Sequence, residues 1–483
     1  MLKSSLLNIL RTFSKDEMAR FHDLAASPYF NKKGNVTKLL AEIRKYHPDL
    51  TAENLDKEKL WHRLFPGKKY NYGIMKNLIH DLNKLCMKFL EIENYSAKKL
   101  DTEMSILEQY FSRKLSKNYL KKSAEIKQLL SLERPTAELY DREFALGRKD
   151  LDYLYANYNA KNVRNFDYMS LDKSLVLSFF AKYFHFSASI NFEQTYISIN
   201  SEKDFQNSVL ELYQKSGFRS YYTDIFYYMF RISCDRKDVE SYNRLKDLWF
   251  DSFGKLTRAD QYTVVEALLL FSMYRTNSGD AGYELERFSY YKKMDEHNLF
   301  LNEGTNQIEG YLFINTNVGA CTAGEFDWAE RFIDRYKGNL PAGERQKFVN
   351  LAYTHLYFKK KDFEKALACL AKCGNVNGVE KVNVQTYQMF LYFELGYYDE
   401  LKNLVDSCRH FIRNDKTVTG EVKTLYGRFI EAVNRLNEYR YKKEHSAARP
   451  PGLEPVRRYI TENEMPHKGW LNQKLSSLAN PQP

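Results

Sequence analysis

A chain of 483 residues that is 43% hydrophobic and 28% charged, with a net charge of +11, has material for two or three packed domains or one long solenoid, which excludes an intrinsically disordered protein. Charges such as Lys182, Glu193 and Glu266 cut every apolar run short of the ~20 residues that span a bilayer, so an integral helical membrane protein is excluded as well. Six cysteines without framework spacing, and an amino terminus interrupted by Asn8 and Arg11 with no cleavage site, lead to the expectation of a reduced, cytoplasmic chain.

Residues 1–100 carry 19 Lys and Arg against 11 Asp and Glu and are expected to form a basic N-terminal helical domain. Ser14-Lys-Asp-Glu17 is a capping box that opens a helix reaching about Ala25, with Phe21 and Leu24 inward. Pro28, Asn31 and Gly34 end it. A second helix follows Asn35 with Val36, Leu39, Leu40 and Ile43 on its apolar face, and His47-Pro48 stops it. A third, from near Thr51, holds Leu55, Leu60, Trp61 and Leu64 and closes at Phe65-Pro66-Gly67.

The fourth, over about 71–93, places Ile74, Leu78, Leu82, Leu85 and Phe89 at three- and four-residue steps. Lys68, Lys69, Lys76, Lys84 and Lys88 decorate the same stretch. A helix, a short turn and a basic amphipathic helix are the parts of a helix-turn-helix reader, with residues 70–90 in the recognition position. The order Leu60-Trp61, Phe65-Pro66-Gly67, then helix, resembles the end of winged-helix domains that precede tetratricopeptide arrays in some bacterial transcription activators. That resemblance implies contact with nucleic acid, and the basic charge alone makes these five lysines candidate contacts for nucleic acid or another acidic partner. A plain helical interaction domain fits the same residues.

Residues 101–300 read as helix after helix, an eroded repeat region with helices near 101–131, 137–161, 167–190, 202–215, 219–234, 237–252, 258–276 and 280–295. Asn191 to Asn200 alternates like a strand, but a lone strand has nothing to pair with, so a loop or short helix is expected. The chain holds 37 Tyr and 32 Phe, and clusters such as Tyr221-Tyr222 and Tyr227-Tyr228 read as rings filling the seams between helices.

Over 301–444 a period emerges. Leu356-Tyr357-Phe358 recurs as Leu391-Tyr392-Phe393, an offset of 35 residues that also carries Phe363 onto Tyr398 and Cys373 onto Cys408. Phe326 and Ala329 precede Phe363 and Ala366 by 37 residues, so three units are visible. In each, an aromatic (Phe326, Phe363, Tyr398) is followed on the same helical face by Ala329, Ala366 or Leu401 and then by Ile333, Leu370 or Val405.

Over about residues 305–440 this pattern resembles the tetratricopeptide family, most closely at Asp362-Phe363-Glu364-Lys365-Ala366-Leu367. The family's early Trp, first-helix glycine and closing proline are missing from that unit, and Leu401 replaces the small residue in the last. The resemblance therefore implies an all-α fold of stacked helical hairpins, a solenoid, and does not extend to a peptide-binding groove.

Residues 445–483 carry the proline-rich stretch Ala447 to Pro455 and are expected to form a loose tail, with a helical turn near Trp470 that anchors on the solenoid or a partner. The end is basic: residues 440–483 hold 8 Lys and Arg against 4 Asp and Glu, while 101–439 hold 46 against 47.

No phosphate loop, nucleophile elbow, dinucleotide fingerprint or paired metal histidines occurs, and no cofactor, metal ligand or catalytic residue is expected. Cys369 and Cys373, one helical turn apart, occupy packing positions of the repeat. Glu266, alone in Val264-Val-Glu-Ala-Leu, reads as a buried carboxylate. The expected function is a non-enzymatic scaffold that binds a protein partner. The alternative is a nucleic-acid-binding transcriptional regulator that uses residues 1–100, with the repeats as sensor or assembly arm.

Overall fold

Helix is the only regular structure among the described residues, and no strand occurs there. A computed structural model describes residues 5–51, 55–157, 163–193, 202–277, 280, 282–374, 378–415, 420–445 and 452–479. The chain divides into two compact units, Met1–Ser178 and Phe179–Pro483. No helix among the described residues is long and apolar enough to cross a membrane.

The first unit begins with Ser5–Leu10, Lys15–Ala26, Gly34–Arg44, Lys57–Leu64 and Tyr72–Ala97. The capping box forms as its residues dictate: the Glu17 N–H donates to the Ser14 hydroxyl at 3.1 Å, and the Ser14 N–H donates to the Glu17 carboxylate at 2.7 Å. Tyr72–Ala97 packs against the three helices nearest the amino terminus, with Phe13, Phe21 and Phe89 in mutual ring contact at 5.3–5.9 Å. Its buried stripe is Met75, Leu78, Leu82, Cys86 and Phe89. Ile74, expected inward, is 47% exposed, because one residue's rotation of about 100° moves the start of the stripe onto Met75.

The expected single helix over 101–131 is two helices, Lys99–Ser112 and Ser116–Ser131. Lys114 adopts φ 58°, and the Leu115 N–H closes onto the Tyr110 carbonyl at 2.9 Å. A lysine in a left-handed turn leaves no glycine or proline mark in the sequence. Ala137–Ala156 packs back on Ser116–Ser131, and its buried Asp150 accepts hydrogen bonds from the Tyr119 and Ser123 hydroxyls. Helix Tyr168–Glu193 runs across the border of the two units.

In the second unit, Tyr221–Cys234, Val239–Ser252, Arg258–Asn277 and Gly282–Glu296 lie within two residues of their expected ends. Gly310–Thr322, Phe326–Tyr336, Arg345–Lys359, Phe363–Leu370, Gly378–Leu395 and Tyr398–Asn414 follow. The expected loop or short helix over 191–200 begins as the last turn of Tyr168–Glu193, and residues 194–201 lie outside the described residues.

One turn recurs between the two helices of each visible repeat. Gly324, Lys361 and Gly396 stand two residues before the second helix with φ of 80°, 62° and 74°. The next N–H, of Glu325, Asp362 and Tyr397, bonds to the carbonyl of Ala320, Tyr357 and Tyr392, each at 2.9 Å. This is the six-to-one bond of a Schellman motif, made three times. The 35-residue echo of Leu-Tyr-Phe is the approach to that turn.

Lys361 is the one non-glycine of the three, and a Cβ in left-handed backbone costs about 1 kcal/mol. Lys361→Gly is therefore expected to raise stability by about 1 kcal/mol, and Gly324→Ala to lower it by a similar amount. Nothing lies within 4 Å of a Cβ at Gly324, so the effect there is one of backbone alone. Urea midpoints measure both.

Of the expected loose tail, residues 452–479 are helical and packed, and residues 446–451 and 480–483 lie outside the described residues. Residues 452–479 form Glu454–Glu462 and Lys468–Ala479, which pack on each other and on Gly420–His445. Pro455 stands in the first turn of its helix, where its missing N–H costs nothing, so it opens a helix within the stretch expected to be loose.

Candidate functional site

Two surfaces come from the residues singled out by sequence. The first is the outer face of Tyr72–Ala97. Asn71 caps this helix by accepting the Ile74 N–H at 3.0 Å, and the buried stripe turns the opposite side outward. Lys76, His80, Lys84 and Lys88 follow at four-residue steps and are all exposed, which places them along one face.

Lys88 is paired with Glu91 at 2.8 Å. Among the described residues no ion pair forms on Lys68, Lys69, Lys76 or Lys84, whereas Lys33 holds Asp81 at 2.7 Å and Arg20 holds Glu93 at 2.5 Å. Much of the nearby negative charge is thereby occupied. Lys68 and Lys69 sit on the preceding turn, shaped by Trp61, whose indole N–H donates to the Lys68 carbonyl at 3.0 Å and whose ring lies 4.4 Å from Phe65.

The turn differs from a compact helix-turn-helix. Seven residues, Phe65 to Asn71, separate Lys57–Leu64 from the long helix, against the usual three or four. Lys57–Leu64 packs on Gly34–Arg44. Asp56 caps it, and the N–H groups of Lys59 and then Glu58 hold the Asp56 carboxyl below the usual range.

The second surface is the seam of the repeats. Ala329, Ala366 and Leu401 are fully buried, with Ile333, Leu370 and Val405 beside them, and Phe326, Phe363 and Tyr398 are half-buried at the edge. Cys373 and Cys408 fill equivalent places, and burial pushes both thiols up to about 12. Gly310–Thr322 packs directly on Arg345–Lys359, where the Asn317 amide donates to the Ala352 carbonyl at 3.0 Å. Further along, Glu380 accepts from the Tyr311 hydroxyl at 3.3 Å and from Lys347 at 2.7 Å, tying the first helices of three successive units together. Sequence reasoning missed these polar ties, because each joins residues more than 30 positions apart.

His355, in the same seam, is 5% exposed, stands edge-on to Tyr387 at 5.8 Å and has no hydrogen-bond partner at Nδ1 within the chain. Burial, then the Lys359 charge, pulls its pKa down to about 3. An unfolded histidine titrates near ~6.5. Above that pH neither state binds the proton, and between about 6.5 and about 3 only the unfolded state does, so stability falls as pH drops through this window. Acidification from pH 7 to 5 is expected to remove about 2 kcal/mol through this residue. His355→Leu is expected to reduce the pH dependence by that amount in urea titrations at the two pH values.

Other singled-out residues separate by environment. Glu266 is exposed, because the flanking pairs Val264-Val265 and Ala267-Leu268 turn inward and leave it on the outer side of its helix. A polar network unforeseen from sequence joins Tyr242 to Ser272 at 2.9 Å, Tyr290 at 2.7 Å and Glu286 at 3.0 Å. Burial raises both tyrosines, keeping the hydroxyls protonated as donors. All six cysteines are free thiols, and no group of three or more metal-ligating side chains converges among the described residues.

Compared with protein-family models, curated proteins and solved structures, the chain matches none of them.

Proposed function

We propose that this chain is a non-enzymatic helical-repeat scaffold that holds a protein partner, built from tetratricopeptide-like hairpins stacked as a solenoid. The recurrence of one turn, at Gly324, Lys361 and Gly396, with equivalent buried positions after each, carries this reading. The tie of Tyr311 and Lys347 to Glu380 across three units supports the stacking. Six free thiols accord with a reduced, cytoplasmic setting.

A second reading is a nucleic-acid-binding regulator that uses the first unit. Its support is the exposed set Lys68, Lys69, Lys76 and Lys84, unpaired among the described residues, with Lys88 on the same helix face. Opposed to duplex DNA, such a row would release counterions and give binding that weakens steeply with salt.

One comparison separates the two. The full chain and its Lys76→Glu, Lys84→Glu, Lys88→Glu variant are tested for duplex DNA binding across a salt series and for stoichiometric capture of a protein partner. The scaffold reading expects the same partner on both chains. The regulator reading expects salt-dependent DNA binding by the wild type and its loss in the variant. Wild-type chain recovered alone as a monomer under all conditions counts against the scaffold.

A further inference from the structure

Helix Lys468–Ala479 has 12 residues, too short to hold itself in water, and is ordered by one face. Leu471 and Leu475 on that face are buried, while Asn472, Gln473, Ser476 and Ser477 opposite are exposed. Trp470 lies 4.5 Å from the Phe390 ring and 5.3 Å from that of Phe393, and its indole N–H donates to Oε1 of Glu394 at 3.2 Å. One turn later Lys474 Nζ meets the same oxygen at 2.5 Å, with side chains only 16% and 13% exposed. Lys443 secures the helix end by donating to the Leu478 carbonyl at 2.7 Å.

The seat thus has an aromatic floor from Gly378–Leu395 and a single acidic anchor. A buried pair contributes little net stability, yet the loss of one member leaves the other charge stranded at high cost. Glu394 therefore accepts a helix that returns a cation to the same place and rejects one that does not. Here a short helix from outside the visible repeats covers Phe390, Phe393 and Glu394 while packing on Gly420–His445 and Glu454–Glu462.

We propose that Phe390, Phe393 and Glu394 form a docking groove for an amphipathic helix of a partner protein, one that carries an aromatic residue and, four positions later, a lysine or arginine. The chain's own helix Lys468–Ala479 occupies the groove until that partner displaces it. This names the partner chemistry for the scaffold reading and rests on it.

The test uses full-length chains and a fluorescent peptide of residues 464–479 as the probe. Wild type is compared with Trp470→Ala/Lys474→Ala, and with that chain carrying Glu394→Lys in addition. The peptide is expected to bind the double variant at least ten-fold more tightly than wild type and to lose that affinity when Glu394→Lys is added. A peptide with Lys474→Glu is expected to recover binding to the Glu394→Lys chain. Equal binding to wild type and double variant, or indifference to Glu394→Lys, overturns the proposal.

Hydrogen exchange on the wild type keeps the question decidable if a variant misfolds. Amides of 471–478 are expected to exchange at least ten-fold faster than those of 429–436, and equal protection makes the helix part of the core and the proposal wrong. A wild-type dimer with this helix exchanged between copies also overturns it. The scaffold reading survives any of these failures if the contacts between repeats persist.

Discussion

Gly310→Ala is expected to lower the stability of the second unit by about 3 kcal/mol. A Cβ at position 310 would stand 2.2, 2.3 and 2.7 Å from Cε2, Cζ and Cδ2 of Phe348, on the first helix of the next repeat. That ring has little room to retreat. It is 3% exposed, Tyr311 meets it edge-on at 5.8 Å, and Lys347 Nζ sits 4.5 Å from its centre. The backbone of Gly310 has no positive φ, so the penalty is one of packing alone. Gly343→Ala, where nothing lies within 4 Å, is the control and is expected to change stability by less than about 0.5 kcal/mol. Paired with Phe348→Leu, Gly310→Ala is expected to recover part of its loss, because the smaller side chain gives way. Urea unfolding of the four chains measures this, and a Gly310→Ala chain as stable as wild type would mean that the two helices do not approach so closely.

Asp150→Ala is expected to cost the first unit about 3 kcal/mol. The carboxylate accepts from the Tyr119 hydroxyl at 3.1 Å, from the Ser123 hydroxyl at 2.8 and 2.9 Å, and from Lys127 at 2.6 Å. Tyr119 and Ser123 are buried and would keep their donors without acceptors. Lys127 is 60% exposed and would turn to water, so its share of the loss is small. Burial, then the Asp150 charge, raises the Tyr119 hydroxyl well above its ordinary value, so it stays a donor at any pH at which the unit is folded. Tyr119→Phe in the Asp150→Ala background is expected to recover stability, since it removes an unpartnered buried hydroxyl. Independent, additive losses in the two variants would place the residues in separate environments.

Legibility in the sequence followed the range of the physics involved. Positions set by local geometry were readable: the Ser14 capping box, the closing residues of most helices, and the repeat that begins at Leu356 and Leu391. Gly324 and Gly396 carry the residue that left-handed backbone favours, but the repeat was legible from the aromatic and small residues around them and not from the turn itself. The same conformation at Lys114 went unseen, since a lysine there carries no mark. Ile74 and Met75 are equally apolar neighbours, and only the tertiary packing decides which of them turns inward.

The candidate surfaces were legible in the same uneven way. The lysines of Tyr72–Ala97 share a face by spacing alone. Trp470 stood out by type, but its seat did not, because Phe390, Phe393 and Glu394 lie some 76 residues before it in the chain. Pro450 and Pro451 drew attention to a break and away from the two amphipathic stretches that follow. The buried state of His355 likewise depends on Tyr387 of the next repeat, which no local pattern reports.

The stacking of neighbouring repeats is tested most directly by a double-mutant cycle on Lys347 and Glu380. These side chains meet at 2.7 Å between the first helices of successive units and are 15% and 29% exposed. Lys347→Met, Glu380→Gln and the double variant are unfolded in urea beside the wild type. Stacked repeats predict a coupling energy of about 1 kcal/mol. Effects that add to within about 0.3 kcal/mol would contradict a shared seam.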